Sequence, residues 1–253
     1  MSYEKIHTVL NDFEPISLKE MDSVKLMDRT DTKFIFHIKQ LPEILNEIRP
    51  FYRSLEVGGI RMSKYETLYY DTDDFELYTR HHCGKMNRYK VRSRKYVESN
   101  LNFFEVKYKN NKGRTIKNRI KTSAIEQTLS ENAKVFLGSH SELDPDQLKP
   151  RIWINYTRIT LVNKKSAERL TIDIGLHFMT GTGKNDLSDL VIAEVKQDKM
   201  NSLSPILEVM RKKRIQIGSI SKYCFGIVSM YPGLRKNNFK EKIRQINKLL
   251  YAA

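Results

Sequence analysis

Cysteine is nearly absent from this chain, which has only Cys83 and Cys224 among 253 residues. Two thiols are too few for a disulfide framework or a zinc site, so both are read as reduced. Long apolar runs are missing too. No stretch approaches the 18 uninterrupted apolar residues of a membrane-crossing helix, and the opening Met1-Ser-Tyr-Glu-Lys carries no apolar signal segment. No linker rich in proline, glycine or serine divides the sequence, and no repeat of fixed period runs through it. These absences predict one soluble, cytoplasmic domain over residues 1–253, with a basic helix over 238–251 at its end. Acidic residues are in short supply. Lys and Arg number 45 against 30 Asp and Glu, a net charge of +15 and a pI near 9.6. Such a balance points to an anionic partner: nucleic acid, phosphate compounds, or a membrane surface touched peripherally.

The positive charge is concentrated. Residues 88–121 hold twelve Lys or Arg against two Glu, a net of +10 within the +15. It is also patterned with the period of a strand. Lys90, Arg92 and Arg94 fall on one face, with Tyr89 and Val91 on the other. Glu105, Lys107 and Lys109 oppose Phe104, Val106 and Tyr108. Lys117, Arg119 and Lys121 oppose Ile116 and Ile120. Two arrangements satisfy this pattern. The apolar faces can point to a core and the charges to water. Alternatively, the sheet closes into a barrel with a charged interior, and helices cover its apolar outside.

The rest of the chain repeats the theme. Ser17, with Glu20 three residues on, predicts a capped helix carrying Leu18, Met21, Val24 and Lys25 on helical spacing. Thr30 to His37 alternates as a strand, and a helix follows over 41–48. A weak strand is expected over 51–57, a stronger one over 66–71, and a helical turn over 73–79. Ser123 or Ser130 caps a helical segment through Leu137. Residues 139–150 read as a loop broken by Pro145 and Pro150. Strands over 152–162, 169–178 and 190–196 come next, with a Gly-rich turn at 180–186. Helices are expected over 204–213, 221–230 and 239–250.

A solvated face normally mixes Lys with Glu, Asn, Gln, Ser and Thr. Here almost every strand puts Lys or Arg on its polar face, and Glu-Val-Lys occurs twice, at Glu105 and Glu194. Arg forks suit bidentate contact with phosphate oxygens, and Lys suits a point contact. Seven or so such strands closing around nothing would confine unpaired cations, so a polyanion inside offsets their repulsion. The pattern favours an α+β chain built on a closed antiparallel barrel with a charged interior.

A family resemblance then becomes specific. Leu26-Met-Asp-Arg-Thr-Asp-Thr-Lys-Phe-Ile-Phe, Leu68-Tyr-Tyr-Asp-Thr-Asp-Asp-Phe-Glu-Leu-Tyr, Lys90-Val-Arg-Ser-Arg-Lys-Tyr, Phe104-Glu-Val-Lys, Tyr156-Thr-Arg, Arg169-Leu-Thr-Ile-Asp, Ala193-Glu-Val-Lys and Ser221-Lys-Tyr occur in that order. Over about 15–232 this resembles the VTC domain, the catalytic domain of the vacuolar transporter chaperone polyphosphate polymerase, one of the triphosphate tunnel metalloenzymes. The resemblance implies a tunnel of antiparallel strands, with Mg²⁺ or Mn²⁺ held by acidic residues. It implies transfer of the ATP γ-phosphate to a growing polyphosphate chain. Carried over motif by motif, the phosphate-binding residues are Lys33, Arg92, Arg94, Lys107, Lys117, Arg158, Arg169 and Lys222. Those closest to the chemistry are Lys107, Arg158, Glu194 and Lys222, with Glu194 as the metal ligand. Phosphoryl transfer needs positioning and charge neutralisation, which this set supplies.

Departures set the alternatives. Hydrolases of the tunnel type carry Glu-x-Glu-x-Lys on the first strand, and here the spacing reads Arg29-x-Asp31-x-Lys33. One metal carboxylate is therefore missing, which weighs against a triphosphatase. A non-catalytic polyphosphate binder remains the other reading. Nucleic acid is not expected, because Tyr89, Tyr96 and Tyr108 lie opposite or peripheral to the main charges. His37, His81, His82 and His177 lack metal-ligand spacing, and Asp173 is open between a structural and a functional role.

Overall fold

A computed structural model of the chain describes residues 2–23, 30–197, 203–218 and 220–251. Val24, Lys25 and Arg29, and with them the start of the first quoted motif, lie outside the described residues. In chain order the first part runs α1 (Ser2–Asn11), β1 (Glu14–Ile16), α2 (Leu18–Ser23), β2 (Thr30–His37), α3 (Leu41–Ile48), β3 (Tyr52–Leu55), β4 (Ser63–Asp71) and α4 (Glu76–His82). The basic hairpins β5 (Arg88–Tyr96), β6 (Leu101–Lys109) and β7 (Thr115–Thr122) follow, then α5 (Glu131–His140). The last part is β8 (Lys149–Asn163), β9 (Glu168–Thr180), β10 (Gly183–Leu187), β11 (Leu190–Gln197), α6 (Pro205–Lys212), α7 (Lys222–Met230) and α8 (Lys240–Tyr251).

All the strands join one sheet, whose main path is β2-β11-β9-β8-β4-β5-β6-β7. Every neighbouring pair on that path is antiparallel. The register carries one face from end to end. Lys33 pairs with Glu194, Glu194 with Thr171, Asp173 with Arg158, Tyr65 with Tyr156, Thr67 with Arg94, Arg92 with Glu105, and Lys107 with Lys117. Directly paired residues project to the same side of a sheet, so these side chains share one face.

The opposite face is apolar and covered by helices. Phe34 and Phe36, Ile159 and Leu161, Leu170 and Ile172, and Val191, Ala193 and Val195 pack against Ile6 and Leu10 of α1, Ile44 and Leu45 of α3, and Val209 and Met210 of α6. Val91, Phe104 and Val106 pack against Ala133 and Leu137 of α5. Side chains of 0–1% exposure such as Ile44, Ile159 and Val91 fix which face is outside. A slip of one residue in any of these strands would put its cations into the packed layer and its apolar side into water.

One part of the charged side is filled. Tyr223, Ile227 and Val228 of α7 pack on Ile154, Phe178 and Ile192 of the concave sheet face. Gly226 permits this approach, since a Cβ there would lie 2.8 Å from both Ile152 Cδ1 and Phe178 Cδ1. The apolar side of α8 also turns inward, with Ile246 only 2% exposed.

The expected closed barrel is corrected in one respect. Among the described residues, no hydrogen-bonded ladder joins β2 to β7. The free edge of β2 is taken instead by Ile217, which bridges Phe34, and by Gly218, whose N–H donates to Lys33 O at 2.9 Å. β7 is exposed or half-exposed along its whole length. Its apolar side is small, with Ile116 exposed and Ile120 already packed on the α5 layer, so it has little to gain from docking on β2, and its lysines discourage edge pairing.

Smaller corrections have local causes. The turn expected at 73–79 is the helix α4, displaced toward the C-terminus because the Asp71 carboxylate accepts from the Leu77 and Tyr78 N–H groups. The loop expected to end at Pro150 gives way to β8 from Lys149. Pro150 is tolerated where the register shifts opposite Tyr69 and Tyr70, so its missing donor falls at a bulge. The Gly-rich turn at 180–186 is mostly β10, because Lys184 to Asp186 pair through backbone groups that composition does not reveal. Of the two candidate caps before α5, Ser130 is used, its hydroxyl accepting from Ala133 N.

Candidate phosphate-binding site

The charged face is organised as three clamps, each a carboxylate between two cations. On the β5–β7 side Glu105 is 1% exposed and meets Arg92 Nε at 2.6 Å and Lys117 Nζ at 2.5 Å. At the centre the Asp173 carboxylate takes the Arg158 fork, Nε at 2.6 Å and Nη2 at 2.8 Å, and also pairs with Lys222 at the start of α7. On the β2 side Glu194 meets Lys33 Nζ at 3.0 Å and pairs with Lys196. Each clamp joins side chains from at least two elements; the strand register aligns those on the sheet, and the start of α7 brings in Lys222.

These contacts set the ionisation of the site. Burial raises the Glu105 carboxyl, but Arg92, Arg94 and Lys117 outweigh it and hold the group at about 2, from an ordinary 4.5. Burial likewise opposes and Lys196 and Lys33 prevail at Glu194, also at about 2. Asp173 is lowered in the same way by Arg158 and Lys222. All three are anions at neutral pH, and the cations beside them are fixed in place.

Cations nevertheless outnumber carboxylates. Lys107 has no carboxylate partner among the described residues. Its place in the concave wall and repulsion from Lys90, Arg92 and Lys33 push it down to about 8. The side chain itself stays open to solvent, so the repulsion is the part that a bound anion would reverse. Lys107 is on β6 and Lys33 on β2, near the two ends of the strand order, yet Lys33 is among the cations that repel Lys107, as a curled sheet would bring about.

Aromatic rings floor the cationic face. Tyr65 stacks on Tyr156 at 5.1 Å, and Arg94 and Arg158 lie over both rings at 5.1–5.9 Å. Lys222 Nζ sits 4.7 Å from the Tyr156 centroid. The Tyr69 hydroxyl accepts from Arg92 Nη1 at 2.8 Å, and although burial opposes ionisation, Arg92, Arg94 and Lys90 bring it down to about 8. Stacked guanidinium planes lose little freedom when they engage a phosphate.

Each residue nominated from the sequence falls on this face. Lys33, Arg92, Lys107, Lys117, Arg158, Glu194 and Lys222 surround the concavity directly. Arg169 is on the same face, opposite Lys196. Arg94 is set deeper than the pattern implies, 6% exposed beneath the tyrosines with Nε donating to Thr67 Oγ1 at 3.2 Å. Sequence reasoning did not nominate Lys90, Lys196, Glu105, Tyr65 or Tyr69. Lys90 and Lys196 each lie two residues from a nominated one, so strand parity would have found them. Lys90 Nζ donates to Ser221 Oγ at 2.8 Å. The tyrosines look like core residues in a sequence, and only the register with Arg92 and Arg94 gives them away. Tyr96 packs on Tyr65 at 4.9 Å and Tyr89 on Tyr108 at 4.6 Å, so none of the three is a free stacking platform.

The donors present bear on which divalent ion the site can hold. No three His, Cys, Asp or Glu side chains gather into a cage among the described residues. Glu194 offers one carboxylate, and Asp31 reaches the same Lys196 Nζ at 3.8 Å. One or two protein carboxylates suit an ion that takes its other oxygens from phosphate and water, as Mg²⁺ does. The residues fit a phosphate-bridging ion.

A sequence profile of the VTC domain matches residues 28–231. The chain belongs to the VTC domain family. VTC domains share the triphosphate tunnel, or CYTH-like, fold, whose superfamily uses divalent metals. Among solved structures, a Hippeastrum protein described as having a dominant triphosphatase activity aligns with TM-score 0.50 at 13% identity, covering 83% of this chain and 98% of its own. A Bacillus halodurans protein named for adenylate cyclase aligns with TM-score 0.46 at 13% identity over 81% and 99%. A Pyrococcus horikoshii protein aligns with TM-score 0.43 at 13% identity over 79% and 99%. At these identities the Hippeastrum likeness speaks to fold alone. No curated protein matches. No helix among the described residues of this VTC domain is long and apolar enough to cross a membrane.

The Glu105 clamp gives a stability prediction. In Glu105→Ala, Arg92 and Lys117 lose their shared counter-charge, which is expected to cost about 3 kcal/mol, the low end for a broken buried pair because Lys117 is 39% exposed. A urea midpoint unchanged from wild type would refute the clamp. The acid limb has a definite sign. Glu105 and Glu194 titrate lower when folded than the ordinary 4.5, so their contribution is complete above that pH and drains as pH falls toward 2. The fluorescence of the single tryptophan, Trp153, should report unfolding inside that window.

Proposed function

We propose that this VTC domain is an ATP-dependent polyphosphate polymerase, transferring the γ-phosphoryl of ATP to the end of a polyphosphate chain. The observation that carries the reading is the continuous cationic face, in which positive charge exceeds the carboxylates that hold it in place. A terminal phosphate oxygen of the chain attacks the γ-phosphorus, the bond from that phosphorus to the β,γ-bridging oxygen breaks, and ADP leaves. No protein nucleophile or base is needed, because the attacking oxygen is already ionised. In this reading Lys107, Arg158 and Lys222 contact the transferring group. Arg158 retains an unused edge of its guanidinium after Asp173 has taken the other. Lys33, Arg92, Arg94, Lys117 and Arg169 bind flanking phosphates. Glu194 would hold Mg²⁺ or Mn²⁺, which neutralises charge on the bridging oxygens when bound. The partners are ATP, triphosphate and polyphosphate.

A second reading is hydrolysis, favoured by the triphosphatase activity described for the Hippeastrum protein. A continuous track suits a moving chain better than a single triphosphate does. The first-strand departure at Arg29 and Asp31 weighs the same way. Product sizing separates the two. The chain is incubated with ATP, Mg²⁺ or Mn²⁺ and a short polyphosphate primer, and ADP, free phosphate and chains are quantified. ADP should match phosphate gained in chains. Free phosphate in step with ADP, without chains, would establish the triphosphatase; no ADP would establish a polyphosphate-binding protein.

A further inference from the structure

A cavity of about 380 Å³ lies beside the phosphate-binding face, between the end of β2, residues 213–218 and α8. That volume is in the range of small-molecule sites, roughly 300–1,000 Å³. Its lining is divided by chemistry. Ile35 and Leu249 give it an apolar wall, Gln216 and Gln245 bring carboxamides, and Arg214 and Lys242 bring positive charge. Among the described residues no Asp or Glu lines it. Ile35 shares the charged face with Lys33 two residues away on β2, about 6.5 Å along a strand. Lys242 of α8 lies near enough to Lys33 for the two to repel.

A ligand filling this space needs a flat, largely apolar head with hydrogen-bonding edges and an anionic tail leading toward Lys242 and Lys33. We propose that the cavity binds the nucleoside of a nucleoside triphosphate whose phosphates extend onto the cationic face. The carboxamides donate to and accept from the edge of the base, as neutral amides do. Ile35 and Leu249 cover its faces. The site rests on the reading of ATP as phosphoryl donor and adds how the protein tells ATP from a bare phosphate chain. α8 lies beyond residue 231, where the VTC match ends.

The test uses two neutral substitutions at exposed positions, Gln216→Ala and Gln245→Ala combined, which leave the charge of the site untouched. Dissociation constants for ATP and for inorganic tripolyphosphate are measured by calorimetry at one salt concentration. The double variant should bind ATP about tenfold more weakly and tripolyphosphate within about twofold of wild type, as expected for one or two lost hydrogen bonds. A second variant, Leu249→Trp, fills the cavity and should weaken ATP alone. Equal losses for both ligands, or undiminished ATP binding in both variants, overturn the nucleoside site while leaving the phosphate site standing. A wild-type chain that binds neither ligand overturns the proposed function and this site with it.

Discussion

Replacing Lys107 and Arg158 together by alanine is expected to lower chain synthesis by about 10⁴-fold or more, to below detection. Removing one preorganised donor at a developing charge costs about 10²–10³ in rate. The two residues are on different strands, β6 and β8. Arg158 is held by Asp173 and by two tyrosine rings, which fix the direction of its guanidinium. Lys107 is the less restrained of the two and carries the pH dependence. Its ammonium group is held at about 8 in the free protein. A bound polyanion raises that value, so binding takes up protons. Affinity for tripolyphosphate should be highest below pH 8 and fall as pH rises through it. Lys107→Ala should flatten that fall, and calorimetry in buffers of different ionisation enthalpy would detect the proton. A double variant that still makes chains at wild-type rate would remove both residues from the chemistry. A Lys107→Ala binding profile as steep as wild type would assign the titration to another group, Tyr69 being the first to test.

The second large effect is at Glu194. Glu194→Gln is expected to reduce metal-dependent turnover by about 10³-fold, since a hard divalent ion supplies several kcal/mol of charge stabilisation and the amide loses the charge that attracts it. Tripolyphosphate binding without metal should be kept or tightened, because the substitution frees Lys33 and Lys196 from their shared anion. The two readouts move in opposite directions, which simple unfolding would not produce. Unchanged turnover across a titration of Mg²⁺ and Mn²⁺ would make Glu194 a clamp like Glu105 and nothing more.

Much of this site was legible because strands alternate. Lys90, Arg92 and Arg94 announce a charged side wherever they are placed, and Phe104 and Val106 announce its reverse. What alternation cannot tell is curvature. A flat sheet with charges in water and a curled one with charges in a concavity have the same pattern. The deciding features are long-range ones, such as the repulsion of Lys107 by Lys33 and the packing of α7 on the charged side of the sheet. Closure was overread for the same reason, since whether β7 meets β2 depends on its exposed apolar residues. Ile116 is 48% exposed where the pattern made it a packed residue. The clamps were only half visible. Glu105 and Lys107 are two residues apart in sequence, yet the bonds of Glu105 go to Arg92 and Lys117 on the flanking strands. Asp173 could be assigned to Arg158 only once the β8–β9 register, with its irregularity between Asn155 and Thr157, was known.

The most direct measurement is a crystal structure of the chain with inorganic tripolyphosphate bound. The account predicts phosphorus positions inside the concavity, with oxygens within hydrogen-bonding distance of Lys107 and Arg158 and further contacts to Arg92 or Lys33. Tripolyphosphate bound instead along the outer surface of β7 or the basic side of α8, with the concavity filled by solvent alone, would contradict it.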